Sequence, residues 1–393
     1  TAIGRGALFA QNFTTATDSF NTAVGADAGN QVTTGIENTL IGGQAGDALT
    51  TGLANTALGA FSLGADTKGK YTVAIGQGAL ATQNFTTATD VHNVAVGYRA
   101  GVAVTTGIQN TIIGGLAGDA LTDADNNTAL GYLALSAETN NNGNTAIGAE
   151  SLKVQNAGGG GDARNTAVGF LAGAAVTTGV QNTLIGSLAG DALTDADKNV
   201  AVGYQALSSD TLGSNSTAIG FSALEAQNFT TATDSFNTAV GYEAGHAITT
   251  GKNNTVVGGN ALSSDTLGSR SVAIGNGALA SQNFTTATLS YNVAVGLNTG
   301  TSISTGLQNT LIGSLAGDAL TDADYNVGLG YGALSGDTLG SKTTAIGTFA
   351  LDSQNFTTAT DSHNTAVGYA TGQAVTTGVE ITLLGALAGD ALT

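Results

Sequence analysis

Three stretches of the sequence set acids at a spacing that could hold a cation. Asp123-Ala124-Asp125-Asn126-Asn127 and the matching runs from Asp195 through Asp197 to Asn199 and from Asp322 through Asp324 to Asn326 share the pattern Asp-x-Asp-x-Asn. Carboxylates at alternate positions open a calcium loop, because a hard cation gathers several oxygens from one short turn. The glycine and distal Glu that complete such a loop are missing, and the closing Asn also stands in stretches without the acid pair. The other reading is a solvated turn. Calcium stays open because carboxylates stacked on nearby turns would repel each other.

A second set is aromatic. Gln-Asn-Phe-Thr-Thr-Ala-Thr-Asp occurs at 11–18, 83–90, 227–234 and 354–361, with Leu289 replacing Asp at 282–289 and a glycine-rich version at 155–162. These loops should project on one edge, carrying Phe13, Phe85, Phe229, Phe284 and Phe356 in register. One reading is a repeated receptor or lateral contact. The other is that each Phe folds back and caps a wider coil, since a long exposed row of Phe would aggregate. The three histidines, His92, His246 and His363, lie far apart and suggest neither a triad nor a metal site. Gly-x-Gly runs such as Gly4-Arg5-Gly6 lack the strand–helix context of a phosphate loop.

Composition narrows the classes. The 393 residues include Gly 59, Pro 0, Cys 0, Met 0 and Trp 0, with Lys+Arg 10 against Asp+Glu 28 and a net charge of -18. Without Cys there is no disulfide or zinc-knuckle scaffold. Without Pro or a three-residue glycine period there is no collagen. An acidic surface repels phosphate, so no nucleic-acid partner is expected. No run of about 20 apolar residues is present, so no membrane insertion is expected within 1–393. With no Met, Thr1 reads as an internal or processed start, and further rungs or caps are expected beyond both ends.

The elements that must position these residues follow from a period. Thr/Val-Ala-Val/Ile-Gly recurs along the chain, and its glycine serves as an anchor: Gly4, Gly25, Gly42, Gly59, then on in phase to Gly368 and Gly385. The 22 anchors leave fifteen intervals of 17 residues and six of 21, in the order 21, 17, 17, 17. That is a 72-residue super-repeat, with one rung missing between Gly220 and Gly275. Seventeen residues suit one coil of a parallel β-solenoid stacked on the next. The residue before each anchor is Val, Ile or Leu, types that favour strands. Alternation puts bulky positions (three and one before the anchor, one after) on one face and mostly Ala and Gly on the other. One face can fill the coil. The small-residue face is then expected to meet something closely, such as another copy of the chain.

Volume is compensated within each rung. Four residues after the anchor stands Leu (Leu63, Leu80, Leu135, Leu207, Leu262) or Gly (Gly29, Gly46, Gly101, Gly118, Gly190). Where it is Gly, an aliphatic follows three residues later (Val32, Leu49, Val104, Leu121, Leu193); where it is Leu, that place is polar (Asp66, Glu138, Asp210, Asp265). Close packing asks for such constancy in each layer. Asn four before the anchor (Asn21, Asn38, Asn55, Asn93, Asn110, Asn127) marks a corner whose amides can bond from rung to rung.

Asn-Thr-Ala-Val-Gly-Tyr at 237–242, followed by Ala-Gly or Ala-Leu, resembles the YadA-like head repeats of trimeric autotransporter adhesins and similar repeats in phage tail fibres. The resemblance covers essentially the whole chain. It implies a left-handed β-roll, three chains about one axis, and an adhesin head or fibre shaft on a cell surface or virion, with a host-surface receptor or glycan as partner. At roughly 4.8 Å per stacked strand, 22 rungs would make a rod on the order of 100 Å long. The expected fold is therefore all-β: one continuous repeat domain over 1–393. The expected function is that of a structural and adhesive fibre segment, extracellular, homotrimeric and not an enzyme. A repetitive ice- or glycan-binding surface and a solenoid carbohydrate-active enzyme stand as alternatives.

Overall fold

A computed structural model describes residues 1–393. Its regular elements are all β-strands. The chain divides into two compact units, Thr1–Lys198 and Asn199–Thr393. Each is a parallel β-solenoid.

In the first unit the main strands run from Ala2–Ile3 and Thr22–Val24 to Thr183–Ile185; in the second, from Val200–Val202 to Thr382–Leu384. Within each unit, neighbouring strands pair in parallel, each with the equivalent strand one rung on. Thr22, Ala23 and Val24 lie beside Thr39, Leu40 and Ile41, and across a long rung Thr145 lies beside Thr166. The ladder bonds are short, such as Gly42 N to Val24 O at 2.8 Å. Three-residue strands cannot persist alone, so stacking supplies the cooperativity that local sequence lacks. This also accounts for the missing proline, since nearly every N–H is spent on the neighbouring coil.

The inner and outer faces are the reverse of the sequence expectation. The residue two before the anchor is buried (Ala23, Leu40, Ala57, Ala74), while Leu58, Leu130, Ile185 and Ile219, one before it, are exposed. The small-residue row therefore lines the coil, and the β-branched row forms its outer wall. Ala beside the strand leaves room for the plugs from the opposite side. Leu63, Leu80 and Leu135, and in the alternative place Val32, Leu49 and Leu121, are all fully buried, as the compensation requires. A third term enters: Leu40 leans over the glycines at Gly29 and Gly46, where a Cβ would come within 2.6 and 2.8 Å of it. In the shortened block Val256 takes that row and Leu262 the plug, so a smaller residue matches the retained Leu.

Corners are tight. Non-glycine residues adopt left-handed backbone at matching places in each rung, for example Glu37 (φ 63), Gln44 (φ 56) and Leu63 (φ 50). Such geometry costs roughly 1–3 kcal/mol each and persists only where the surroundings over-determine it. One corner is held by the buried Asn row: Asn38 N and Asn55 N donate to the side-chain oxygens of Asn21 and Asn38 at 2.8 and 3.1 Å. Asn21 Nδ2 in turn reaches Gly35 O at 2.7 Å. In the second unit Asn254 N meets Asn237 Oδ1 and Asn309 N meets Asn292 Oδ1, both at 2.9 Å.

Candidate functional site

The calcium candidates are not assembled. Asp125, Asp197 and Asp324 each turn one carboxylate oxygen onto a backbone N–H one rung earlier: Ile108 and Val180 at 2.8 Å, Leu307 at 2.7 Å. Asp195 and Asp322 accept from the hydroxyls of Thr178 and Thr305, and Asp123 from that of Thr122. No three His, Cys, Asp or Glu side chains gather in a cluster that could hold a metal ion. The second acid of each pair is thus a corner acceptor, spending an oxygen on an amide that would otherwise go unpaired on the rung beside it.

The long loops also turn inward. Phe85, Phe229, Phe284 and Phe356 are only 5–7% exposed, and Phe13 is half-buried. The phenyl rings cap the widened coil, so they are not the contact surface of these loops. The loops instead offer solvent the threonines around Thr86–Thr87, Thr230–Thr231 and Thr285–Thr286. The ends of four of these loops add a short parallel pair with the rung before, such as Gly69–Lys70 with Thr89–Asp90 and Gly213–Ser214 with Thr233–Asp234. Side chains tie the same edges: Lys70 to Asp90, Asn215 to Asp234 and Lys342 to Asp361. Where Leu289 replaces the acid, Arg270 instead bonds the Tyr291 hydroxyl and lies over its ring.

Sequence reasoning missed what holds the Phe residues in. Asp66, Asp210, Asp265 and Asp337, the polar residues that replace the second plug, are fully buried. In each, one oxygen accepts from a corner glycine (Gly69, Gly213, Gly268, Gly340) and from the N–H of the loop Phe, at 3.0–3.1 Å. The other oxygen accepts from a buried Gln 17 residues on: Gln83, Gln227, Gln282 or Gln354, at 2.5–2.7 Å. That Gln continues the amide row, receiving Asn93 Nδ2 on Gln83 Oε1 at 2.9 Å. In the glycine-rich block Glu138 serves its own corner at Thr139, Asn140 and Asn141, and the buried Asn144 Nδ2 finds no partner. The available signal was an acid after a Leu-type rung with Gln one period later.

Burial raises the Asp265 carboxyl above its ordinary value, against the hydrogen bonds from Gln282, Phe284, Gly268 and Thr266. Asp47, Asp119, Asp191 and Asp318 hold one equivalent half-buried place, and desolvation is the largest cause raising each. Of the histidines, His92 stacks on Tyr71 at 5.2 Å and His246 lies 3.4 Å from Glu225.

The remaining unpartnered surface is the outer wall. The residue after the anchor is often aromatic there: Tyr98, Tyr132 and Phe170 in the first unit, Tyr204, Phe221, Tyr242, Tyr331 and Tyr369 in the second, all exposed. Tyr204, Phe221 and Tyr242 stack in sequence, with centroids 5.5 and 5.3 Å apart. No helix is long and apolar enough to cross a membrane. The architecture defines a β-solenoid repeat protein. No protein-family model and no curated protein matches the chain.

Proposed function

We infer that the chain is a structural and adhesive fibre segment, a homotrimeric, extracellular rod of a cell surface or virion that presents loops or a distal tip to a host-surface receptor or glycan. The observation that carries this reading is the outer wall. Val, Ile and Leu alternate there with Thr, and aromatic rings flank them, on a face that a single chain leaves open. Such a face favours burial against a like surface, at about 25 cal/mol per Å² of apolar area removed from water. The partner is a second and third copy, meeting through this β-branched wall. The count of three rests on the likeness to YadA-like head repeats. The buried acids support a scaffold role without catalysis, since they are spent on backbone N–H groups of corners and loops.

The test is mass in solution. Copies joined through the wall give a stable species near three times the 38.3 kDa of one chain. The double variant Ile219→Lys/Val240→Lys, on adjacent rungs of the wall, lowers that mass while the circular-dichroism signal of strand is kept. A parent chain that stays at 38.3 kDa ends the trimeric reading. Beads coated with the trimer that bind neither cells nor glycans would leave a spacer and remove the adhesive part.

A further inference from the structure

The long loops bury a ring and, with it, set two polar side chains outside. Five of them contain Asn-Phe-Thr, and in four, at 84–86, 228–230, 283–285 and 355–357, the ring is sealed in the coil. Asn-x-Thr is the triplet at which N-linked sugar is attached. The amide nitrogen is the acceptor, and the transferase also reads the hydroxyl two residues on. In a chain rich in Asn and Thr the triplet alone says little, so its presentation decides.

Asn84, Asn228, Asn283 and Asn355 are exposed, and so is the Thr on the far side of each ring. Amide and hydroxyl thus face solvent together, with the Phe turned away from them. The amide is also oriented. Its oxygen accepts from a Thr hydroxyl one rung earlier: Thr67 to Asn84 and Thr211 to Asn228 at 3.2 Å, Thr266 to Asn283 at 3.1 Å, Thr338 to Asn355 at 3.0 Å. Nδ2 bonds no group of the chain and is left to solvent.

Other asparagines lack one part of this arrangement. Asn156 holds the same pose, accepting from Thr139 at 3.4 Å, but Gly158 stands in place of the hydroxyl. The corner triplets that open at Asn126, Asn215 and Asn253 run straight into wall strands, where the N–H groups of Thr128, Thr217 and Thr255 are bonded to the next rung. Asn215 Nδ2 is moreover spent on Asp234 at 2.7 Å.

We propose that Asn84, Asn228, Asn283 and Asn355 are acceptor sites for N-linked sugar on the folded coil. This deepens the extracellular reading above and rests on it for where the chain meets a transferase. Nδ2 attacks the anomeric carbon of a sugar carried on a diphosphate. The bond from that carbon to the diphosphate oxygen breaks, its electron pair leaves with the diphosphate, and the amide proton passes to a base of the transferase. The Asn oxygen keeps its bond from the neighbouring Thr, and the Phe stays in place.

The test uses the full chain, purified folded from a host without N-glycosylation. It is incubated with an oligosaccharyltransferase specific for Asn-x-Thr and its lipid-diphosphate-linked sugar, beside a control acceptor peptide. Intact mass and peptide mapping read the product. Sugar is expected at Asn84, Asn228, Asn283 and Asn355 and at neither Asn156 nor Asn215. Thr86→Ala loses the sugar at Asn84 alone, and Thr86→Ser retains it. A folded chain that gains no mass while the control peptide is glycosylated overturns the proposal. So does sugar at Asn215 as readily as at the loops, since presentation would then carry nothing. Chain count does not enter the reaction, so a glycosylated monomer keeps these sites and removes only the trimer, and an unmodified trimer does the reverse.

Discussion

A Cβ placed on Gly25 would lie 2.4 Å from the carbonyl oxygen of Gly42, one rung on. The same approach recurs between Gly42 and Gly59, and each anchor also takes a φ near +135°, such as 136° at Gly42. The anchor is therefore glycine for two reasons at once. Its backbone angle suits no other residue, and the neighbouring coil occupies the space a side chain would need.

Gly42→Ala should destabilise its rung by about 3 kcal/mol or more, the sum of backbone strain and overpacking. Gly161→Ala is the control, because its φ is not in the left-handed range and nothing lies within 4 Å of the added carbon. Denaturant unfolding compares them. Equal midpoints for the two variants would contradict the stacking account.

Asn38→Ala removes a side chain that bonds the rungs on both sides. Asn55 N loses its acceptor and Gly52 O its donor, both buried. The expected cost is about 2–6 kcal/mol, from two unsatisfied groups at about 1–3 each. Loss of exchange protection should centre on the Asn55 amide. A loss spread evenly along the chain, or none, would argue against a local amide row.

Phe229→Ala should cost about 3–5 kcal/mol, as for other buried aromatic rings. Thr231→Ala, on the exposed part of the same loop, should change stability by less than about 0.5 kcal/mol. Thermal unfolding of the two variants decides whether the ring or the threonines hold the loop.

Stability should fall as pH rises above 3.8. Asp47, Asp119, Asp191 and Asp318 all titrate above that value when folded, so the folded chain holds their protons longer than the unfolded one. Their contribution is complete below 3.8 and is lost as pH passes the raised values. The denaturation midpoint should therefore be higher at pH 4 than at pH 7, and the difference should shrink in Asp47→Asn/Asp318→Asn. A midpoint that climbs between pH 4 and 7 would reverse the sign of this argument.

The sequence by itself determined the coil. The spacing of Gly25, Gly42 and Gly59, the exchange of Leu63 for Val32 or Leu49, and the row of Asn21, Asn38 and Asn55 reflect constraints that repeat every rung, so one dimension was enough to read them. Tertiary structure alone decided direction. Alternation separates the faces of Thr22–Val24 but does not say which is inside, since both are apolar. Only the stacked coil shows it: the row of Ala23, Leu40 and Ala57 is buried beside the plugs, while Leu58, Leu130 and Ile185 in the other row face outward. The fold also buries Phe85 and Asp66 together, because the four-residue insertion opens a gap that a ring closes and a carboxylate ties shut. Pairing between residues 19 apart, as Asp66 is with the N–H of Phe85, arises only when one coil lies on the next.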